Sequence, residues 1–365
     1  MVCFKMRGEK MFYKSLLKPI LFQYDAERAH NAACKAAKKT AQSNMLSSLF
    51  DALYNFQSPL LSQNFFGHTF RNPIGLAAGF DKNGCLIEAM ETLGMGFVEV
   101  GSITARASSG NPKPRAFRLP KDRALINRMG LNNDGAQTVI KRLQNAEYDI
   151  PAGINIAKTH DPGVMGDEAI RDYLFSYKEA QKIADYITIN ISCPNTTEGK
   201  TFEDPAVLEE LLSALLKEKT ENMVPTLVKF SPDLNQPTLE ELVEVCEKHQ
   251  IDGYVACNTS SDRTSLKTDL QRVNKIGAGG LSGSPLSSKS IRTVKWIRAI
   301  ATRKPIIGVG GIDSFEAAFE MMKAGANLLQ IYTGLVYEGP ALVKRINRQL
   351  VHYLQAHEMN SLKEL

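Results

Sequence analysis

The chain has 365 residues, 43% hydrophobic and 23% charged, with 26 Gly and 16 Pro. This is a globular composition that excludes collagen-like, low-complexity and wholly disordered chains. The net charge of +5 sits at one end: residues 1–44 carry nine Lys/Arg against three Asp/Glu, and the rest of the chain carries 35 against 36. A nucleic-acid binder spreads basic side chains over a face, so none is expected as a partner. A short basic segment suits an anionic membrane surface, with a solvated helix face as the plain alternative. Cys3, Cys34, Cys85, Cys193, Cys246 and Cys257 show no CxxC and no paired Cys/His spacing. That pattern argues for a reducing compartment and against a zinc site or any other metal. The apolar stretch from Leu16 to Phe22 is broken by Lys18 and Pro19. It falls short of the roughly 20 residues a membrane span needs, and no secretory leader is evident.

Residues 1–64 form a helical extension with its linker, and residues 65–365 a catalytic domain. Met11–Phe22 and Asp25–Gln42 read as a helical pair, the second with Asp25 as N-cap and Ala at helical spacing. Gln57–Asn64 reads as the linker. From residue 70, short apolar runs alternate with amphipathic stretches. The runs are Pro73–Gly79, Phe97–Thr104, Ala152–Lys158, Tyr186–Cys193, Thr226–Ser231, Gly253–Ser260, Pro305–Gly311 and Leu328–Gly334. Helices are expected between most of them and over Pro340–His357. Eight such units predict an α/β fold, a (β/α)8 TIM barrel carrying a short N-terminal helical extension. The Pro-containing insertion Ala105–Gly135 is expected to form a small β excursion over Phe117–Leu119 and Ala124–Asn127.

In such a barrel the chemistry lies at the C-terminal strand ends. Those ends carry Asp81 and Lys82, Ser102, Asn155, Asn190 and Ser192, Lys229, Asn258 and Thr259, and Tyr332 and Thr333. Singly, each is most simply a loop cap; together they describe a polar floor. Gly277–Gly283 and Gly308–Gly311 are Gly-rich loops whose N–H groups suit a phosphate. Neither matches GxGxxG, so a mononucleotide such as FMN fits better than a dinucleotide. Strand alternation puts Asn190 and Ser192 on one face and Cys193 on the other. Asn127, Asn190, Asn195 and Asn258 offer amides to a flat heterocycle with alternating C=O and N–H groups, and Lys82 suits its carboxylate.

Leu21-Phe22-Gln23-Tyr24-Asp25-Ala26-Glu27-Arg28-Ala29-His30, Asn72–Lys82, Leu125–Gly130, Ile189–Ser192 with Pro194-Asn195-Thr196, Pro305–Asp313 and Gln330–Gly334 resemble class 2 dihydroorotate dehydrogenases. These are quinone-dependent flavoenzymes of pyrimidine biosynthesis, and the resemblance covers nearly the whole chain. It implies oxidation of (S)-dihydroorotate to orotate, with hydride passing to FMN and electrons then to a membrane quinone, ubiquinone being the expected one. It implies FMN contacts at Ala78, Gly79, Phe80, Asp81, Lys82, Ser102, Asn155, Asn190, Lys229, Cys257, Gly283, Gly311, Tyr332 and Thr333. Substrate contacts are implied at Lys82, Asn127, Arg128, Met129, Gly130, Leu131, Asn190, Asn195, Asn258 and Thr259, and the catalytic base at Ser192. His30, Arg118 and Tyr332 match the quinone site. The resemblance further implies a monomer, peripheral on the cytoplasmic face of a bacterial cell membrane, with the whole orotate half-site in the barrel. Departures from the family pattern are Cys257 and Ser102 for Thr, Leu131 for Phe, Ala157 for Gly and Cys193 for Ser. A soluble class 1-like dehydrogenase using fumarate or NAD and a non-catalytic phosphate- or lipid-binding barrel are the competing readings.

Overall fold

A computed structural model describes residues 13–192, 201–218 and 224–365. Eight parallel strands close into a barrel: β1 (Ile74–Leu76), β2 (Phe97–Ile103), β3 (Ala152–Ile156), β4 (Tyr186–Asn190), β5 (Thr226–Phe230), β6 (Gly253–Ala256), β7 (Ile306–Val309) and β8 (Leu328–Ile331). Closure comes from β8 on β1, with Leu329 opposite Ile74. Strands buried on both faces read as continuous apolar runs, which is why all eight are visible in the sequence. The expected runs overshoot the strands at their C-terminal ends, because the polar residues there belong to loops.

The barrel interior is plugged at its N-terminal end by Phe70, Phe97, Tyr186, Leu227, Val255, Ile307 and Leu328. Gly153 on β3 makes room for this plug: a Cβ there would stand 2.1 Å from the Tyr186 ring. An antiparallel hairpin, Gln63–Phe65 with His68–Phe70, lies beneath. The expected domain boundary after residue 64 therefore falls inside a strand. The segment expected to be a linker is packed, with Leu61 fully buried and Gln63 Nε2 donating to Asn327 O at 2.9 Å.

The extension differs from the expected pair. Tyr13–Leu17 is a π-helical turn running into a short helix, Lys18–Leu21. Next comes α1 (Ala26–Ala41), capped as expected by Asp25, whose carboxylate accepts from Glu27 N and Arg28 N at 3.0 Å. A further helix, α2 (Asn44–Tyr54), was not expected; it packs on α1. Over the barrel mouth, Ala116–Leu119 and Ala124–Asn127 pair antiparallel as expected. A third strand, Gly280–Gly283, joins them with Gly280 opposite Asn127. Half of the loop read as a phosphate cradle is thus β-structure.

Candidate active site

The last residues of β4 begin a polar cluster. Asn190 Nδ2 donates to Ser102 Oγ at 3.2 Å, and Ser102 donates to Asn155 Oδ1. Asn258, after β6, aims its Nδ2 at Ser192 O (2.8 Å), Ser192 Oγ (3.2 Å) and Asn190 Oδ1 (3.3 Å). Tyr173 OH fixes the strand end by donating to Asn190 O at 2.8 Å. Asn190 and Ser192 are both buried. Because β4 stops at Asn190, strand alternation does not reach Ser192 and Cys193. The expectation that Cys193 faces away therefore loses its basis. Cys193 and Asn195 lie outside the described residues.

Beneath this cluster lies Glu99 of β2, fully buried. Its carboxylate accepts from Asn155 Nδ2 (2.8 Å), Gln330 Nε2 (2.7 Å), Thr188 Oγ1 (3.1 Å) and Tyr186 OH (3.4 Å). Neither Glu99 nor Gln330 was singled out from the sequence. The available signal was a carboxyl or an amide inside an otherwise apolar stretch of strand, where a polar group needs full hydrogen bonding.

Ala78, Lys229, Cys257, Asn258, Thr259, Gly283, Gly311, Tyr332 and Thr333 line one cavity, which Gln330 joins. Lys229 is 5% exposed. Among the described residues no carboxylate pairs with its ammonium, and Gln330 Oε1 is buried without a partner. A buried ammonium that lines a cavity, with no carboxylate beside it among the described residues, is what an anionic or polar ligand would complete. Burial pushes the Cys257 thiol up to about 12; it touches Ser290 Oγ at 3.3 Å. Lys82 donates to Gly79 O at 2.6 Å, and burial lowers its pKa.

Other expected site residues spend their side chains locally. Asp81 is buried and accepts from Cys85 N (3.0 Å) and Leu86 N (2.7 Å), organising its own loop. Arg128 donates to Ile276 O and Ala278 O and stacks on Phe117 with its guanidinium carbon 4.7 Å from the ring centre. Its guanidinium is thereby tied to the segment before Gly280 and to the Phe117 ring. Met129 and Leu131 present carbonyls to Arg115 and Asn133, and Gly130 adopts φ +72° beside Asn111. Asn127 Nδ2 reaches Gly280 O only at 3.4 Å.

On the side facing α1, the His30 ring stands edge-on to Phe80 at 4.7 Å, and Phe80 edge-on to Tyr332 at 5.1 Å. Burial, with the nearby Lys82 charge, lowers the His30 pKa to about 4, so its imidazole is neutral at ordinary pH. Arg118 lies over the Phe22 ring at 4.6 Å and donates to Tyr24 O at 3.0 Å. The structure thus clusters His30, Phe80 and Tyr332 and puts Arg118 against the start of the extension.

A family model described as dihydroorotate dehydrogenase matches residues 60–354. The chain belongs to the dihydroorotate dehydrogenase family. Dihydroorotate dehydrogenase (quinone) of Natronomonas pharaonis is 42% identical over 350 residues, covering 96% of this chain and 97% of its own. The protein of the same name from Vibrio parahaemolyticus is 42% identical over 347 residues, with 93% and 100% covered. A ligand-free DHODH crystal structure from Eimeria tenella superposes with a TM-score of 0.83 at 31% identity, covering 93% of this chain and 98% of that one. These dihydroorotate dehydrogenases match along the helical extension as well as the barrel.

Proposed function

We propose that the protein oxidises (S)-dihydroorotate to orotate, the redox step of pyrimidine synthesis, using FMN and passing the electrons to a membrane quinone. The observation that carries this reading is the cavity lined by buried Lys229 and by Asn258, whose amide reaches Asn190 and Ser192. The donor set fits a flavin. Lys229 would offer positive charge to a flavin that becomes anionic on reduction, and Gln330 would offer an amide. The turns at Gly283, Gly311 and Thr333 offer N–H groups to a phosphate. Ala78, Gly79, Ser102 and Asn155 complete the expected wall. When bound, FMN would supply a two-electron acceptor for the hydride at C6 of dihydroorotate and a donor to the quinone.

The chain's own residues then have three tasks. Asn127, Asn190, Asn195 and Asn258 address the C=O and N–H edges of the pyrimidine ring, and Lys82 meets its carboxylate. The backbone of Arg128–Leu131 and Thr259 closes the substrate from water. A base takes the C5 proton. Ser192 is the candidate from the family resemblance, and its burial beside Asn258 supports a role at the ring. A second reading assigns the proton to Cys193. Asn258 donates to Ser192 Oγ, which makes that oxygen less basic, whereas a thiol ionises near 8.5, far below an aliphatic hydroxyl.

The extension supplies quinone access and membrane contact in this reading. Seven of the ten large apolar side chains left exposed among the described residues fall within Leu16–Leu49: Leu16, Leu17, Ile20, Tyr24, Met45, Leu46 and Leu49. Lys14, Lys18, Lys35, Lys38 and Lys39 lie among them in sequence. That combination suits peripheral docking on anionic lipid; no helix among the described residues is long and apolar enough to cross a membrane. His30, Arg118 and Tyr332 then stand between the lipid side and the cavity.

The test is anaerobic mixing of purified protein with dihydroorotate, followed by a quinone, NAD or fumarate. Bleaching of the flavin band and reoxidation by quinone are expected. Reoxidation by NAD or fumarate instead would assign the soluble subclass, and absence of a flavin band would leave a non-catalytic barrel.

A further inference from the structure

The insertion that carries Asn127–Leu131 is fastened to α1 by a buried ion pair. Glu27 is 8% exposed and Arg115 5%. Arg115 Nε donates to Glu27 Oε2 at 3.1 Å and Nη2 to Oε1 at 2.8 Å, a two-pronged contact. The remaining nitrogen, Nη1, donates to three carbonyls: Ser109 (2.6 Å), Asn111 (2.9 Å) and Met129 (3.4 Å). The backbone of Arg115 also takes part. Its carbonyl accepts from Arg128 N at 2.9 Å, and the next residue, Ala116, pairs with Asn127. One guanidinium therefore gathers both arms of the loop that ends in Gly130 and Leu131. The loop is wrapped closely: at Gly110, with φ +72°, a Cβ would stand 2.1 Å from Met129 O and 2.8 Å from Arg115 Nη1.

The carbonyls are neutral, so Glu27 supplies the counter-charge that lets this cation stay buried. Lys113 also approaches Glu27, at 3.4 Å, but from solvent with 66% of its side chain exposed, where an ion pair is weak. Hydrogen bonds from Arg115 hold the Glu27 carboxylate below its ordinary range against the cost of burial, so it is ionised at neutral pH.

We propose that Glu27, on the helical extension, is a positioning residue for the dihydroorotate site. Through Arg115 it sets the backbone of residues 127–131, so the extension is part of the substrate site as well as the way in for quinone. The inference rests on the reading of the site as a dihydroorotate site. It departs from the expectation that the barrel alone contains the orotate half-site.

The test uses full-length, FMN-loaded protein with Glu27→Ala, Glu27→Gln, Arg115→Lys and, as control, Lys113→Ala. Two quantities are read on the flavin-containing fraction: orotate affinity, from the change in the flavin spectrum, and KM against kcat for dihydroorotate with a water-soluble acceptor. Glu27→Ala is expected to weaken orotate and raise KM about tenfold, within the usual range of coupling between sites. Glu27→Gln, which keeps an oxygen acceptor, should recover part of the loss. Arg115→Lys, which cannot serve the acid and three carbonyls together, should resemble Glu27→Ala, and Lys113→Ala should resemble wild type. Wild-type orotate affinity and KM in Glu27→Ala, with only quinone reduction impaired, would overturn the proposal, because Glu27 would then merely seat α1. If Glu27→Ala does not fold, the same comparison is decided on Glu27→Gln and Arg115→Lys. A wild-type protein whose flavin responds to neither orotate nor dihydroorotate would overturn the functional reading, and this inference with it.

Discussion

Around Glu99, four donors from three strands converge on one carboxylate and no water is needed to complete the set. Residues 13–54 show the reverse arrangement. Seven of their large apolar side chains are exposed, and two carboxylates are among the groups that tie them to the rest of the molecule. Glu27 takes Arg115, and Glu338 takes Lys14 (2.6 Å), Arg123 (2.7 Å) and Arg345 (2.6 Å). In the barrel, buried Lys229 lines a cavity with no carboxylate beside it among the described residues. In the extension, the exposed groups that stand out are large and apolar. The first arrangement suits a polar ligand; in the reading proposed above, the second suits a lipid surface.

The largest effect expected inside the barrel is at Lys229. Lys229→Ala removes the buried cation, and flavin reduction by dihydroorotate should fall about 10³-fold or the flavin should be lost. A flavin-replete, fully active variant in stopped flow would break the assignment of the cavity. Next is the proton acceptor. Of Ser192→Ala and Cys193→Ala, one should slow flavin bleaching by about 10²-fold and the other should be mild. With the thiol as base the rate should climb with pH through the thiol ionisation; a hydroxyl base gives no such limb. Mild effects in both would place the base elsewhere.

On the extension the effects are smaller. Leu17→Glu or Leu49→Glu should weaken binding to anionic vesicles about tenfold, the scale of one apolar side chain withdrawn from lipid, while dihydroorotate-driven bleaching stays unchanged. Equal vesicle binding, measured by co-sedimentation, would remove the contrast between the two regions. Smallest is the response to acid. Burial alone would raise the Glu338 pKa, but hydrogen bonds from Lys14 and Arg123 lower it from 4.5 to about 2. Its contribution is therefore present above pH 4.5 and lost as pH falls towards 2. His30 has a lowered pKa, about 4 against 6.5, mainly from burial and then from Lys82. Its neutral form supports the fold fully above pH 6.5 and progressively less as pH falls towards 4. Amide protection over residues 13–41, corrected for the intrinsic exchange rate, should fall between pH 6.5 and 3 before that of the barrel strands.

The two regions also differ in how legible they are. Each barrel strand announces itself as a β-branched run because both faces are buried. The overshoot at Thr104, Ser192 and Thr333 arises because a polar residue after a run looks like part of it. Gly280–Gly283 read as a phosphate loop, since glycine signals close approach without saying to what; here Gly280 is opposite Asn127. Asp81 and Arg128 stand inside matching motifs, yet the Asp81 side chain organises its own loop and that of Arg128 ties to the distant carbonyls of Ile276 and Ala278, which a motif does not reveal. The extension is less legible still. The Asp25 cap was readable, being local, but Glu27 and Arg115 are separated by 88 residues, and no periodicity relates them.

The sheet over the barrel mouth has a consequence for how the protein is made. Asn127 meets Gly280, 153 residues further along. The hairpin Ala116–Asn127 therefore emerges from a ribosome long before its third strand exists. Barrel closure through β8 on β1 comes later again. Contacts of such long sequence separation form slowly. The three-stranded roof over the mouth is thus completed late, and a nascent chain stalled before Gly280 would carry only its first two strands.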